Sequence, residues 1–549
     1  MEDNYDSLEL DNFVIKDKEF YASRRKKAFI IAGLVLLALI VIAGIVIVIL
    51  VIIKALREKG GVITCFFSTS EEDEIIPIIN IDDDIGYKLI IDDESCDKST
   101  RHKFAQPGLH NVTFHFKKKL NSLDNFFKNM RNLKEADFSK LEAENIESMA
   151  NLFENCVNLT KVTFDNKTPK LKNLNNMFYN CISLNETNIN LDTSKVTEMI
   201  GMFYNCINLT NLNLSNFYLE SLVSSERMFD SCTVLKEIIF NNETRTNNLK
   251  DMSYMFSHCK SLEYIDTEIF NVDKVTNLNF TFHFCESLRE IDLSHFETNN
   301  LESMKGTFAN CYELEKIDIS YFNTTKVKTI SYIFSNCVKL TSVLVLNIDT
   351  RQLIDARYAF NNCTSLSQLD LSLQDFSSVK YLDGMFLDCL SLEDLALPNK
   401  LVSLESTNFM FEKCEKLTSI DLGFLENASP WNNAVRMFYD CSSLNKIEIP
   451  PVNTNSPMNM NQMFGRCSDL SNITLNGLNG DISDMYQMFA FCNNLNYLDV
   501  YNLNTKNADN KNDIFEGLND EKININYDPE ITNSIIESKA ITREFVDFG

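Results

Sequence analysis

The side chains best equipped for chemistry in this sequence are thiols. The chain has 549 residues and 16 cysteines, of which 14, from Cys156 to Cys492, recur at intervals of 25 to 27 residues. Such a series could hold metal or exchange disulfides. Zinc sites need clustered ligands, such as two cysteines two residues apart within a short span, and none occurs. One thiol per period instead puts a small apolar side chain at the same interior point of every unit. Thiols stacked on parallel neighbours are poorly oriented for disulfides. Cys65 and Cys96 stand outside the series, and an oxidising exterior favours pairing them. The six histidines, His102, His110, His115, His258, His283 and His295, include no ligand pair at helical spacing. Neither a phosphate-binding glycine loop nor a nucleophile elbow is present. The sequence predicts no enzyme, no cofactor and no metal centre.

The elements that position the thiols follow from their neighbours. Three residues before each of the 14 cysteines stands Phe (Phe153 to Phe489), and three residues after it Leu (Leu159 to Leu495). Self-similarity at this period marks a stacked repeat. Met304, Phe308, Cys311 and Leu314, spaced 4, 3 and 3, put one apolar stripe on a short helix. Ile317 and Ile319 then alternate with Asp318 and Ser320, the period of a strand. Each unit thus predicts a short helix, a turn and a short parallel strand. Fourteen units at ~4.8 Å per strand give a rod roughly 65–70 Å long. Phe127, Met130 and Leu133 continue the pattern before the series, and Phe515 and Leu518 after it, as degenerate end units. The Met column (Met177, Met202, Met228, Met255) falls on the core stripe. Gly is scarce, at 15 residues, and Asn and Asp, which tolerate left-handed backbone, replace it at turns.

Residues 28–53 contain no charge, and 26 residues at 1.5 Å each exceed the ~30 Å hydrocarbon core of a bilayer. The run is too long for a cleaved signal peptide and no small-x-small site follows it, so it predicts an uncleaved signal anchor. Arg24, Arg25, Lys26 and Lys27 precede it, which places the N-terminus in the cytoplasm. Residues 1–27 carry a charge of −1 and 54–59 carry +2, so with a total of −26 the outer part, 60–549, carries −27. That charge disfavours nucleic acid. In the tail, Tyr5, Asp6, Ser7 and Leu8 fit a tyrosine-based sorting pattern. Twelve Asn-x-Ser/Thr sites, among them Asn111, Asn166, Asn213, Asn323 and Asn472, would be used only in a host that glycosylates asparagine.

Aspartates recur between the two apolar strand positions in six of 14 units: Asp266, Asp292, Asp318, Asp370, Asp421 and Asp499. They predict an acidic strip along the sheet, either a ligand or cation face or merely a solvated one. Three consecutive coils, with Asp266, Asp292 and Asp318, make it densest.

Two stretches are recognisable as a family pattern. Leu191-Asp192-Thr193-Ser194-Lys195-Val196-Thr197-Glu198-Met199 is followed by Met202-Phe203-Tyr204-Asn205-Cys206, and Met255-Phe256-Ser257-His258-Cys259 by Ile291-Asp292-Leu293-Ser294-His295-Phe296. These resemble the BspA-like leucine-rich repeats of bacterial and protist surface proteins, over about 125–520. The resemblance implies an extracellular α/β leucine-rich-repeat solenoid associated with adhesion to host or matrix proteins, and carries over no catalytic residue and no fixed ligand site. The expected organisation is a cytoplasmic tail (1–27), a transmembrane anchor (28–53), an extracellular stalk or N-terminal cap (54–124), the solenoid (125–520) and a C-terminal cap or tail (521–549). The expected function is extracellular protein recognition or adhesion, with a host, matrix or neighbouring-cell protein as ligand. A sensor signalling through residues 1–27 and a passive surface coat are the alternatives.

Overall fold

The computed structural model describes 23–27, 29–48, 60–81, 85–345, 349–398, 401–426, 428, 431–453, 457–506, 508–518 and 523–528. The tail with Tyr5 and Tyr21, the ends of the expected span (28 and 49–53), and the terminal segment apart from 523–528 lie outside the described residues. Ser23–Val48 is one helix of 26 residues, long and apolar enough to cross a membrane.

The segment expected to be stalk or cap folds as a β-cap. It comprises β1 (Gly61–Thr69), β2 (Glu74–Pro77), β3 (Tyr87–Ile91), β4 (Glu94–Cys96), β5 (Arg101–Phe104) and β6 (Gly108–Phe116). β1 buries Ile63, Cys65 and Phe67 on one face, the alternation of a half-buried strand. It pairs antiparallel with β6 over its whole length, and on its other edge with β7 (Leu133–Asp137), the first solenoid strand. β8 (Lys161–Asn166) and β9 (Glu186–Leu191) follow in parallel, so one seven-stranded sheet in the order β4-β3-β6-β1-β7-β8-β9 joins cap to repeats. The cap thereby covers the open end of the first coil, which an unprotected solenoid would expose to water.

Beyond β9 most coils add a short strand in parallel register, such as Lys316–Asp318 against Ser342–Leu344, while the coils at 264–266, 290–292 and 420–422 form no regular strand, so the sheet is interrupted. A second ladder of single bridges runs from Ser122 and Ser148 through Asn277 and Ser303 to Asn433 and Asn459, one per coil. The sheet also continues past residue 520: Asn524–Asn526, in the segment expected to be a C-terminal cap or tail, pairs with Tyr497–Asp499.

The short helix expected in each unit is not formed. The segment before each cysteine is a chain of tight turns. In one coil, the N–H groups of Asn151, Phe153 and Asn155 donate to the carbonyls of Asn175, Met177 and Tyr179 in the next coil, at 2.8–2.9 Å. Those of Leu152, Glu154 and Cys156 donate three residues back, at 2.9–3.3 Å. Half of the donors that an α-helix would use internally therefore bond to the neighbouring coil. The geometry needs positive φ at two points per coil, five residues and one residue before the cysteine: Asn151 and Asn155, Asn176 and Asn180, Gly306 and Asn310. A right-handed helix cannot pass through them. The 4-3-3 spacing points side chains inward on either backbone, so the stripe itself is buried as the spacing predicts: Met304, Phe308, Cys311 and Leu314 are 0–1% exposed.

Inside, Phe127 to Phe515 form a continuous column with one ring per coil, at centroid distances of 5.3–5.8 Å. Truncating one such ring to Ala typically costs about 3–5 kcal/mol. On the outside of the same turns, asparagine amides at left-handed positions bond coil to coil: Asn180 Nδ2 to Asn155 Oδ1 at 2.8 Å and Asn205 Nδ2 to Asn180 Oδ1 at 2.7 Å. In other coils an aromatic ring holds the left-handed position and leans over a glycine. Phe280 covers Gly306 (φ +58), where an added Cβ would lie 2.3 Å from the ring. Gly306→Ala is therefore expected to lower the unfolding free energy by about 1–3 kcal/mol in urea titrations. Phe280→Ala in the same chain should return the part caused by the ring. An unchanged midpoint for the single variant would contradict this close approach.

Candidate functional site: the sheet face and its acidic column

Asp318, Asp370 and Asp499 end short strands, whereas Asp266, Asp292 and Asp421 hold the equivalent place in coils that form no regular strand there. The Oδ1 of each accepts the N–H of the residue two ahead: Asp266 from Glu268 (3.1 Å), Asp292 from Ser294 (2.9 Å), Asp318 from Ser320 (2.9 Å), Asp370 from Ser372 (2.9 Å), Asp421 from Gly423 (2.8 Å) and Asp499 from Tyr501 (3.2 Å). Asp137 and Asn213 make the same turn in other coils, onto Ser139 and Ser215. Aspartate recurs there because an Asx turn closes the strand, a backbone requirement independent of any ligand. The Ser294 N–H, then its hydroxyl, holds Asp292 below the usual carboxylate range, and the Ser372 hydroxyl, then its N–H, does so for Asp370.

The strip is not uniform. Asp266, Asp292 and Asp318 occupy successive coils and are exposed or half-buried, with no ion pair to another described residue. Leu344 separates Asp318 from Asp370 in the register, and Ala396 follows Asp370. Asp421 is exposed, whereas Asp499 is buried and its Oδ2 is taken by Asn476 Nδ2 at 3.0 Å, which removes it from the face. The dense part is bordered by exposed apolar side chains, Ile239 (46%), Tyr264 (64%) and Leu344 (50%). Upstream it runs into a shallow groove of about 560 Å³ lined by Lys161, Thr163, Glu186, Asn188, Asn213 and Ile239, among others. The face can thus offer carboxylates, amides and a few apolar anchors to an extended surface.

The expected Cys65–Cys96 disulfide is absent, and both thiols are free. Cys65 lies in β1 and Cys96 in β4, with β6 and β3 between them. Three strand spacings are roughly 14 Å, beyond the ~7 Å Cα limit of a disulfide. The 14 cysteines of the repeat are buried, and each Sγ donates to the carbonyl of a phenylalanine in the preceding coil, Cys156 to Phe127 O at 2.9 Å and Cys206 to Phe178 O at 3.3 Å among them. Burial pushes the thiols of Cys232, Cys337, Cys389 and Cys492 up to about 12.

Sequence reasoning missed two groupings. In the cap, His110 Nδ1 lies 2.7 Å from Asp92 Oδ2, and its Nε2 lies 3.1 Å from Thr69 Oγ1 and 3.0 Å from Gln106 O. Thr69 is buried, and the Gln106 carbonyl occupies the imidazole, so the group clamps a loop. Nothing in the spacing of residues 69, 92 and 110 announces it. On the turn side, Arg227 stacks over Tyr254 at 4.2 Å, Tyr254 on Phe280 at 5.0 Å, and His258 on Phe284 at 4.7 Å. Beside them burial, then His258, lowers His283 to about 4. The repeated Asn-Cys pair was the available signal for this left-handed column. Among the described residues no group of three or more His, Cys, Asp or Glu can hold a metal ion.

The profile of a family described as "Mycoplasma protein of unknown function, DUF285" matches 121–243, 239–342 and 303–424, together more than half of the chain. The chain belongs to this family. Its later coils, 383–518 and 434–540, match the BspA type leucine rich repeat region, in agreement with the resemblance drawn from residues 191–206 and 255–296. No curated protein matches the sequence. Among solved structures, a leucine rich cell surface protein from Faecalibacterium prausnitzii is 14% identical, with 78% of this chain and 87% of that chain covered and a TM-score of 0.29. The functional domain of InlJ from Listeria monocytogenes, which includes a cysteine ladder, is 13% identical over 61% and 69%, with a TM-score of 0.20. A TLR13–ssRNA13 complex is 18% identical over 66% of this chain, with a TM-score of 0.23, and this chain spans 55% of the TLR13 chain.

The thiol environment makes a direct prediction. In the native chain at pH 8 only Cys96, the one half-exposed thiol among 16, should react with Ellman's reagent within minutes. The other 15 should react when denaturant is added. Reaction of several thiols without unfolding would place the cysteine column outside the core.

Proposed function

We propose that this chain is a membrane-anchored, extracellular binding protein that recognises a protein ligand through the sheet face of its solenoid. The observation that carries the reading is the open face over the coils of Asp266, Asp292 and Asp318. Its carboxylates have one oxygen engaged in a turn and no ion pair with another described residue, and Tyr264 stands exposed at their edge. Membership of the BspA-type repeats supports recognition as the use of such a face. The 26-residue apolar helix supplies the anchor in this reading, and Arg24, Arg25, Lys26 and Lys27 keep its N-terminal end in the cytoplasm. The solenoid then stands outside, with its net negative face turned toward ligands with basic surfaces, where electrostatics speed encounter and discriminate partners.

Asparagine is the right probe for this face, because its amide oxygen keeps the Asx turn while the charge is lost. The triple variant D266N/D292N/D318N should unfold at the wild-type midpoint. Beads carrying its full-length form should bind immobilised fibronectin, laminin or collagen at least tenfold more weakly than wild-type beads, a loss of ~1.4 kcal/mol. Wild-type binding to one of these proteins that survives the triple substitution undiminished would move recognition away from the sheet face.

A further inference from the structure

Lysines surround Gly60, the first described residue after the N-terminal helix. Gly60 and Gly61 are buried between the end of β6 and the first solenoid coil. Gly60 N–H donates to Phe116 O at 3.1 Å, and a Cβ on Gly60 would lie 2.1 Å from the carbonyl oxygen of Lys118. On the other side Val62 N–H donates to Lys140 O at 3.0 Å, and a Cβ on Gly61 would lie 2.5 Å from that same oxygen. Lys117, Lys118, Lys119 and Lys140 are all exposed. Lys119 is neutralised by Glu144 at 2.5 Å and Glu142 at 3.7 Å, whereas Lys117, Lys118 and Lys140 ion-pair with no described carboxylate. A protein of net charge −26 thus presents, near residue 60, three ammonium groups with no ion-pair partner among the described residues.

We propose that these three lysines form a foot that rests on the anionic lipid headgroups of the membrane that the N-terminal helix crosses. The inference rests on the anchoring reading of Ser23–Val48. Residues 49–59 separate that helix from Gly60, and 11 residues reach at most about 40 Å. A tether this short holds the lysines at high effective concentration over the bilayer, so a contact too weak to recruit a free protein suffices to orient a tethered one. Basic groups within a Debye length of an anionic surface are attracted to it, and salt weakens the attraction. Asp82, Asp83 and Asp84, which follow Ile81 in the sequence, lie outside the described residues and add negative charge to this part of the chain. The lysines must outweigh them. With the foot down, the solenoid is held at a fixed inclination to the membrane.

The test uses the full chain reconstituted into vesicles of phosphatidylcholine alone or with phosphatidylglycerol. Flotation reports the anchoring reading, and lysine acetylation read by mass spectrometry reports the foot, with the exposed Lys195 and Lys236 of the solenoid as references. The expected result is flotation with both vesicles. Acetylation of Lys117, Lys118 and Lys140 should slow about fivefold or more only where phosphatidylglycerol is present, the factor expected per basic residue at such a surface, and recover in high salt. Flotation with both vesicles but equal acetylation rates would overturn the foot and leave the anchor standing. Failure to float would overturn the anchor, and the foot with it.

Discussion

The solenoid depends on where the turn segments send their amide hydrogens. Alternate N–H groups bond to the next coil, as Asn151, Phe153 and Asn155 do to Asn175, Met177 and Tyr179, and the remaining ones close local turns. Two left-handed residues per coil make that alternation possible. The same alternation turns Phe, Cys and Leu inward together and leaves the strand ends and turn tips outward. No coil satisfies its own backbone, so each is stable only between neighbours, and the β-cap ends the dependence at one side by offering β1 to β7.

The cysteine column is a consequence of this packing. The carbonyl of Phe153 accepts the Cys156 N–H at 2.9 Å within its own coil and the Cys181 Sγ at 3.1 Å from the next. A residue at that point must be small, tolerate full burial and still donate to a second lone pair. Alanine fills the first two needs only, and serine brings a more polar group into a dry interior. Burial also suppresses the thiolate in the 14 cysteines of the column, which leaves them unreactive as free thiols.

Much of this was legible from residue spacing. The period, the buried stripe and the decayed end units at Phe127 and Phe515 all follow from side-chain periodicity, which registers which way a residue points. It does not register the backbone that points it, so Met304, Phe308, Cys311 and Leu314 suggested a helix where turns occur. Asparagine before cysteine was the clue to left-handed backbone, but only an inter-coil hydrogen-bond pattern explains why it recurs at one place. Strand order is invisible in one sequence, which is why Cys65 and Cys96 invited pairing across two intervening strands. Of the six aspartates only Asp318, Asp370 and Asp499 lie on strands, and their Asx turns and the burial of Asp499 depend on local geometry that composition does not encode.

Amide hydrogen exchange along the native chain tests the coil-to-coil bonding most directly, because a turn segment without it leaves half its donors to water. The account predicts that residues 304–314, which contain no regular helix, exchange as slowly as the strand Lys316–Asp318 beside them and speed up together with it as denaturant rises. Rapid exchange across 304–314 alongside a protected strand would contradict it.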